Sequence, residues 1–183
     1  MSARIPPLDP ASTTGPVRET FDATQAKIGM VPNLYRVMGH SPAALGAYLA
    51  LNQQLAGGVL GAPLREKIAL AVSQRNACGY CLSAHTAIAR MAGVDPDGIA
   101  AARDARAQDP REAAALTLAA KLVDARGWVS DTELAELRKA GLSDADLIEV
   151  VAVVAALTFS NYVNHLARTP IDFPLAPNLP SER

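Results

Sequence analysis

The chain has 183 residues, of which 50% are hydrophobic and 19% charged, so it can bury a full core as one domain and nothing in it suggests two. A formal net charge of −1 gives no electrostatic reason to expect nucleic acid or an anionic membrane surface as a partner. Aromatics make up only 4% while alanine runs at residues 100–102 and 113–115, a composition that favours close helix-on-helix packing and an all-α fold.

Residues 1–15 are rich in Pro, Ser and Thr and read as an extended arm laid over a neighbouring surface. They contain no apolar run of the length that export requires, which makes the cytoplasm the expected compartment. A helical domain is expected over 16–168. Pro16 suits the start of its first helix, with Val17, Thr20, Phe21, Thr24 and Ile28 spaced as one face, and Gly29 ends it. Asn33, after Val31-Pro32, is placed to cap a short helix through Met38. Gly39-His40-Ser41-Pro42 then opens a helix from Ala43 to Leu55 with Leu45, Leu49 and Leu55 on its face, and His40 is expected to cap or pack locally. Gly57-Gly58 and Gly61-Ala62-Pro63 read as the loop that follows.

The next stretch carries the chemistry. Arg65 to Arg75 has Ile68, Ala69, Ala71 and Val72 between charged ends, as a part-buried helix would, and Asn76-Ala77 breaks it. Both cysteines follow, then one of the three histidines: Cys78-Gly79-Tyr80-Cys81-Leu82-Ser83-Ala84-His85. Steps of about 100° per residue put Cys78, Cys81 and His85 on one helical face. If the two helices fold back about Asn76, Glu66 lies ten residues before the turn and His85 nine after it, which brings them to the same depth. A carboxylate, an imidazole and two thiols are then expected to converge in one pocket.

Further along, the motif helix runs through Ile88 and Met91 to a stop at Gly93, and a short helix spans Pro96 to Arg103. Pro110 starts a helix over Arg111–Arg126 with Leu116, Ala119, Ala120 and Val123 as its stripe. Ser130-Asp131-Thr132-Glu133 has the form of a capping box for a helix to Lys139. Ser143 is the natural N-cap of the longest helix, Asp144 to about Arg168, which is apolar on nearly every side from Leu147 to Leu157 and so is expected to be central or to lie at an interface. Its most apolar run, Val150 to Phe159, is short of the roughly 20 residues that span a bilayer. It ends in a polar patch where Asn161 and His165, four apart, could line a substrate pocket or simply meet solvent or another subunit. Residues 169–183 are Pro-rich and read as a tail.

A thiol attacks only as thiolate, and a free one ionises near pH 8.5, so a redox site must favour the anion. The motif offers three means: unpaired N–H groups at a helix start, His85 one turn beyond Cys81 as proton acceptor, and Glu66 to hold the histidine's tautomer or act through water. The i,i+4 link to His85 makes Cys81 the better candidate to attack a peroxide bond, with Cys78 resolving the resulting sulfenic acid as a disulfide. Two cysteines three apart in a reducing compartment fit a redox or metal role better than a structural bridge.

Glu, eleven residues, Cys-x-x-Cys, three residues, His is the pattern of Glu66, Cys78, Cys81 and His85, and it resembles the signature of the AhpD-like alkylhydroperoxidases of the carboxymuconolactone decarboxylase superfamily. Val31-Pro32-Asn33 and His40-Ser41-Pro42 are similar to the peroxidase-related branch of that superfamily. The resemblance implies an all-α AhpD-like domain in which the motif hairpin packs on the long helix, a thiol-dependent peroxidase with no cofactor and no metal, and a trimer or hexamer. It also implies that Cys81 is peroxidatic, that Cys78 resolves, and that Glu66 and His85 relay protons. The partners it implies are a hydroperoxide and a dithiol or lipoyl-bearing reductant. One position departs: the residue before the second cysteine is often histidine in the best-known members and is Tyr80 here, which can donate a hydrogen bond but not shuttle protons at neutral pH. Tyr80 is therefore counted with Asn161 and His165 as a pocket residue. The alternatives are the superfamily's lactone decarboxylation or isomerisation, zinc held by Cys78, Cys81, His85 and Glu66, and a helical assembly protein with incidental cysteines.

Overall fold

A computed structural model of the chain describes residues 2–179; Met1 and residues 180–183, which include Pro180 of the expected tail, lie outside them. The described residues form nine helices and no strand: α1 (Gly15–Ile28), α2 (Asn33–Met38), α3 (Pro42–Ala56), α4 (Gly61–Arg75), α5 (Gly79–Met91), α6 (Pro96–Arg103), α7 (Pro110–Asp124), α8 (Asp131–Lys139) and α9 (Asp144–Ala167). The ends follow local chemistry. Ser130 and Ser143 each accept from the backbone three residues on, at Glu133 and Asp146, whose carboxylates reach back to the serines in full capping boxes. Gly29, at φ 80, closes α1 in the left-handed conformation.

Two helix starts differ from the sequence reading. Gly61-Ala62-Pro63 is the first turn of α4 and not a loop. Proline costs little there, because the first N–H groups of a helix have no intrahelical acceptor to lose. Asn33 is the first residue of α2 and not its cap. Its backbone N–H is taken by the carboxylate of Asp172, 2.7 Å away, and its side-chain amide donates to Pro170 O at 3.0 Å. A distant carboxylate thus does the work that a local side chain was expected to do.

The α4–α5 hairpin packs on α9, with α7 and α6 completing the larger core. Ile68, Leu70, Val72, Leu82, Leu116 and Val150 fill it, all fully buried. Ala71, Ala89, Ala102, Ala115 and Ala119 are also fully buried, and these small side chains let the helix axes approach closely. A smaller core joins α1, α2 and α3 to the start of α5. It holds Phe21, Leu34, Met38, Leu45 and Tyr48 together with Cys78, Tyr80 and Cys81. Val17 and Phe21 of α1 point into it, but Ile28, expected on the same face, is half exposed in the last turn, beyond the reach of α2 and α3.

By length and composition the 24-residue α9 could cross a bilayer, further than the run from Val150 to Phe159 suggests. Half of its most apolar window is buried inside the fold, as the core helix of a folded domain would be. Val150, Val153, Val154 and Leu157 face the larger core, while Ile148, Val151, Phe159, Tyr162 and Leu166 form an exposed stripe at spacings of three, four and eight residues.

Both terminal segments lie on their own chain. Arg4 and Ile5 donate backbone N–H groups to Ala167 O at the end of α9, at 2.7 and 3.2 Å, and His40 Nε2 meets Pro6 O at 2.9 Å. After Thr169 the chain turns back across the start of α5. Ala176 N–H donates to Ser83 Oγ at 3.2 Å, and Arg103 donates to the carbonyls of Pro177 and Asn178 at 2.5 and 2.7 Å.

Candidate active site

The turn Asn76-Ala77 seats Cys78 at the N-cap of α5, where its sulfur accepts the N–H of Cys81 at 3.3 Å. Cys78 and Cys81 are joined as a disulfide, with Cα atoms 5.3 Å apart. Both residues are buried, at 1% and 2% exposure. A second polar group also reaches the pair: Asn164 Nδ2, from α9, donates to Cys81 Sγ at 3.2 Å. Helix N–H groups and an amide donor therefore surround these sulfurs, an environment that favours negative charge on whichever is released when the bond opens.

One turn beyond Cys81, His85 Nδ1 lies 2.7 Å from Glu66 Oε2. The pair is mostly withdrawn from solvent, with side-chain exposures of 17% and 14%. Counting residues on either side of the Asn76 turn anticipates this contact. The anticipated single pocket does not form, however. Cys78 opens on a cavity of about 710 Å³, whereas Glu66 and His85 line a separate one of about 90 Å³ with Asn52, Arg65 and Leu157. The reason is the direction of α5: the cysteines sit at its mouth and the histidine a full turn inside. Among the described residues no three of His, Cys, Asp or Glu converge closely enough to hold a metal ion.

Tyr80 and His165 line the larger cavity. Asn161 does not: it is fully buried, and its carbonyl accepts Asn76 Nδ2 at 2.9 Å. The helical twist that buries Asn161 and Asn164 against α5 turns His165 outward, so the two residues expected to act together face differently. Tyr80 donates its hydroxyl to Asp172 Oδ1 at 2.8 Å and accepts the N–H of Leu34 at 3.1 Å. Burial, reinforced by the nearby Asp172 carboxylate, pushes this phenol far above its ordinary value, so it stays protonated and braces the site.

Asn164 and Asp172 are the participants that sequence reasoning missed. Asn164 sits in the polar patch at the end of α9, and its i,i+3 relation to the buried Asn161 was the one available signal. Asp172 lies in a segment read as a tail, with nothing local to mark it.

The profile of the carboxymuconolactone decarboxylase family matches residues 42–121, which span α3 to α7 and all four motif residues. The crystal structure of the alkylhydroperoxidase AhpD core of a peroxidase-related protein from Ralstonia eutropha JMP134 is similar at TM-score 0.82 and 29% identity, over 93% of this chain and 92% of that one. A peroxidase-related protein from Silicibacter sp. TM1040 is similar at 0.77 and 26%, over 96% and 94%. The debrominase Bmp8 shares the fold at TM-score 0.78 and 24% identity, over 94% of each chain. No curated protein matches the sequence.

Proposed function

We propose, for a chain that belongs to the AhpD-like group of the carboxymuconolactone decarboxylase superfamily, that it is a thiol-dependent peroxidase cycling Cys81 and Cys78 between dithiol and disulfide. The observation that carries this reading is the alignment along α5: a disulfide at its mouth, an amide donor on Cys81 Sγ, and a part-buried Glu66–His85 hydrogen bond one turn on. A lactone decarboxylase or isomerase would need the acid–base pair but would have no use for the sulfurs.

In the reduced state the Cys81 thiolate, held by Asn164 and the first-turn N–H groups, attacks the terminal oxygen of a hydroperoxide. The O–O bond breaks, Cys81 becomes a sulfenic acid, and the alkoxide leaves as alcohol with a proton passed through His85, which Glu66 orients. The Cys78 thiolate then attacks Cys81 Sγ, displacing the oxygen as water with a second proton and restoring the disulfide. Two electrons have passed to the peroxide. A dithiol or lipoyl-bearing partner returns them in a reducing, cytoplasmic setting.

The exposed stripe of α9 supports self-association as a homo-oligomer, with a trimer or hexamer favoured by the resemblance. Light scattering on Ile148→Glu, expected to fall to monomer, tests it.

The decisive assay is peroxide consumption with a dithiol reductant. Cys81→Ser abolishes turnover; Cys78→Ser stops recycling yet permits one sulfenic acid per chain, trapped by a dimedone adduct. Full activity in Cys81→Ser would falsify the assignment of the attacking sulfur.

A further inference from the structure

Residues 169–179 leave the end of α9 and cross the mouth of α5, and their fastenings gather on the cysteine motif itself. Gly79 and Tyr80 lie inside the covalent ring that the Cys78–Cys81 bond closes. Tyr80 donates to Asp172 Oδ1 at 2.8 Å, and the ring of Phe173 meets it edge-on with centroids 5.7 Å apart. A Cβ added at Gly79 would meet Leu179 Cδ1 at 3.7 Å and Ile171 Cδ1 at 3.9 Å, so the segment rests on the bare glycine. Two residues past the ring, Ser83 Oγ accepts the N–H of Ala176 at 3.2 Å. The other oxygen of Asp172 accepts the N–H of Asn33 at 2.7 Å, so one carboxylate ties the segment to both the ring and α2.

Opening the bond moves that footing. Reduction by a dithiol, which closes to its own disulfide, puts two electrons into the S–S bond and one proton on each sulfur. A covalent contact becomes a van der Waals one, and the sulfurs part by about 1.5 Å. Neither cysteine is more than 2% exposed, and a close-packed interior transmits such a shift. Cys81 sits within the helix, is held by Asn164 at 3.2 Å and lines neither cavity, whereas Cys78 is at the N-cap and borders the space of about 710 Å³. Cys78 therefore takes up the shift, and Gly79 and Tyr80 move with it relative to Ile171, Leu179 and Asp172.

We propose that residues 169–179 form a redox-responsive strap, seated on the closed ring and loosened when the bond opens, with Asp172 as its positioning residue. Thr169, Pro170 and Ile171 also line the cavity beside Cys78, so loosening widens the approach to the released sulfur. Linkage makes the effect reciprocal: a strap that prefers the closed ring holds the bond closed by the same factor. The strap needs only a bond that opens and closes, whatever oxidises it, so failure of the peroxidase reading leaves it in place and its own failure leaves that reading untouched.

The test is amide exchange on the intact chain, oxidised and then in excess dithiothreitol, followed at the N–H groups of Ala176 and Asn33, which the strap's contacts protect. Both should exchange about tenfold faster in the reduced form, a factor within the usual range of coupling between sites, while amides in the middle of α7 keep their rates. In Asp172→Ala the reduction potential, read by equilibration in glutathione buffers, should rise toward easier reduction by about 30 mV, which is that tenfold factor for two electrons. Equal or slower exchange in the reduced wild type overturns the proposal, and so does a folded Asp172→Ala whose potential matches the wild type. The exchange comparison needs no variant and decides alone if Asp172→Ala does not fold.

Discussion

The two sides of the first turns of α5 are built differently. At the mouth, Cys78 meets a wide cavity with a cationic rim, and its surroundings come from afar: the arm through Arg4, the end of α9 through Asn164 and Arg168, and the terminal segment through Ile171. One turn inside, His85 and Glu66 form a tight pair over a pocket of about 90 Å³, and both come from the hairpin itself. On the proposed peroxidase reading, the contrast assigns electron delivery to the cavity beside Cys78 and proton handling to the Glu66–His85 pair.

The sharpest way to break that division is at the inner pair. His85→Gln and Glu66→Gln are each expected to lower kcat/KM for peroxide by roughly 100-fold or more, while reduction of the disulfide by a dithiol changes far less. Stopped-flow measurement of the two half-reactions decides, and equal losses in both would merge the two sides. Next in size is Asn164→Leu, which removes the amide from Cys81 Sγ at similar volume. Alkylation of the reduced protein at neutral pH should slow by about tenfold, with the thiol's titration moving upward.

Tyr80→Phe probes the brace between the terminal segment and the site. Loss of its bonds to Asp172 and Leu34 should cost about 1–2 kcal/mol of stability. There is also a pH signature. Because the folded state raises the Tyr80 pKa, its contribution is fully present below the ordinary phenol value near 10 and fades as pH rises above it. Thermal melts from pH 8 to about 11.5 should show a shallower alkaline decline in the variant than in the wild type.

The smallest effect is expected far from both cavities. Asp146→Ala removes the reciprocal half of the α9 capping box and the partner of Arg111, costing about 1 kcal/mol. Although burial alone would raise the Asp146 pKa, its hydrogen bonds to Ser143 and its pairing with Arg111 prevail and hold it below its usual value. That contribution is therefore present above the ordinary carboxylate range and lost as pH falls through the folded value. The variant should lose the acid-side part of the wild-type stability profile and leave both half-reactions untouched.

What the sequence revealed and what it hid divide along the same line. The Glu66–His85 contact could be read from residue counts, since helical rise and a single turn fix it locally. Capping boxes at Ser130 and Ser143 were legible for the same reason. The first turn of α4 was misread because glycine and proline are turn signals in general, whereas a helix start tolerates both. Asn164 on Cys81, Asp172 on Tyr80 and Ser83 under Ala176 join residues 83, 92 and 93 positions apart, and no local pattern predicts such pairings. The outer side of the site is made almost wholly of these.

Ala77, the hinge residue just ahead of Cys78, holds φ at 54, a left-handed geometry in which its methyl group is crowded by its own backbone. Glycine would relieve that crowding, yet it would also loosen the turn that sets how Cys78 enters α5. A molecule engineered for heat tolerance at this hinge would therefore run the risk of becoming a sturdier protein with a slacker redox switch.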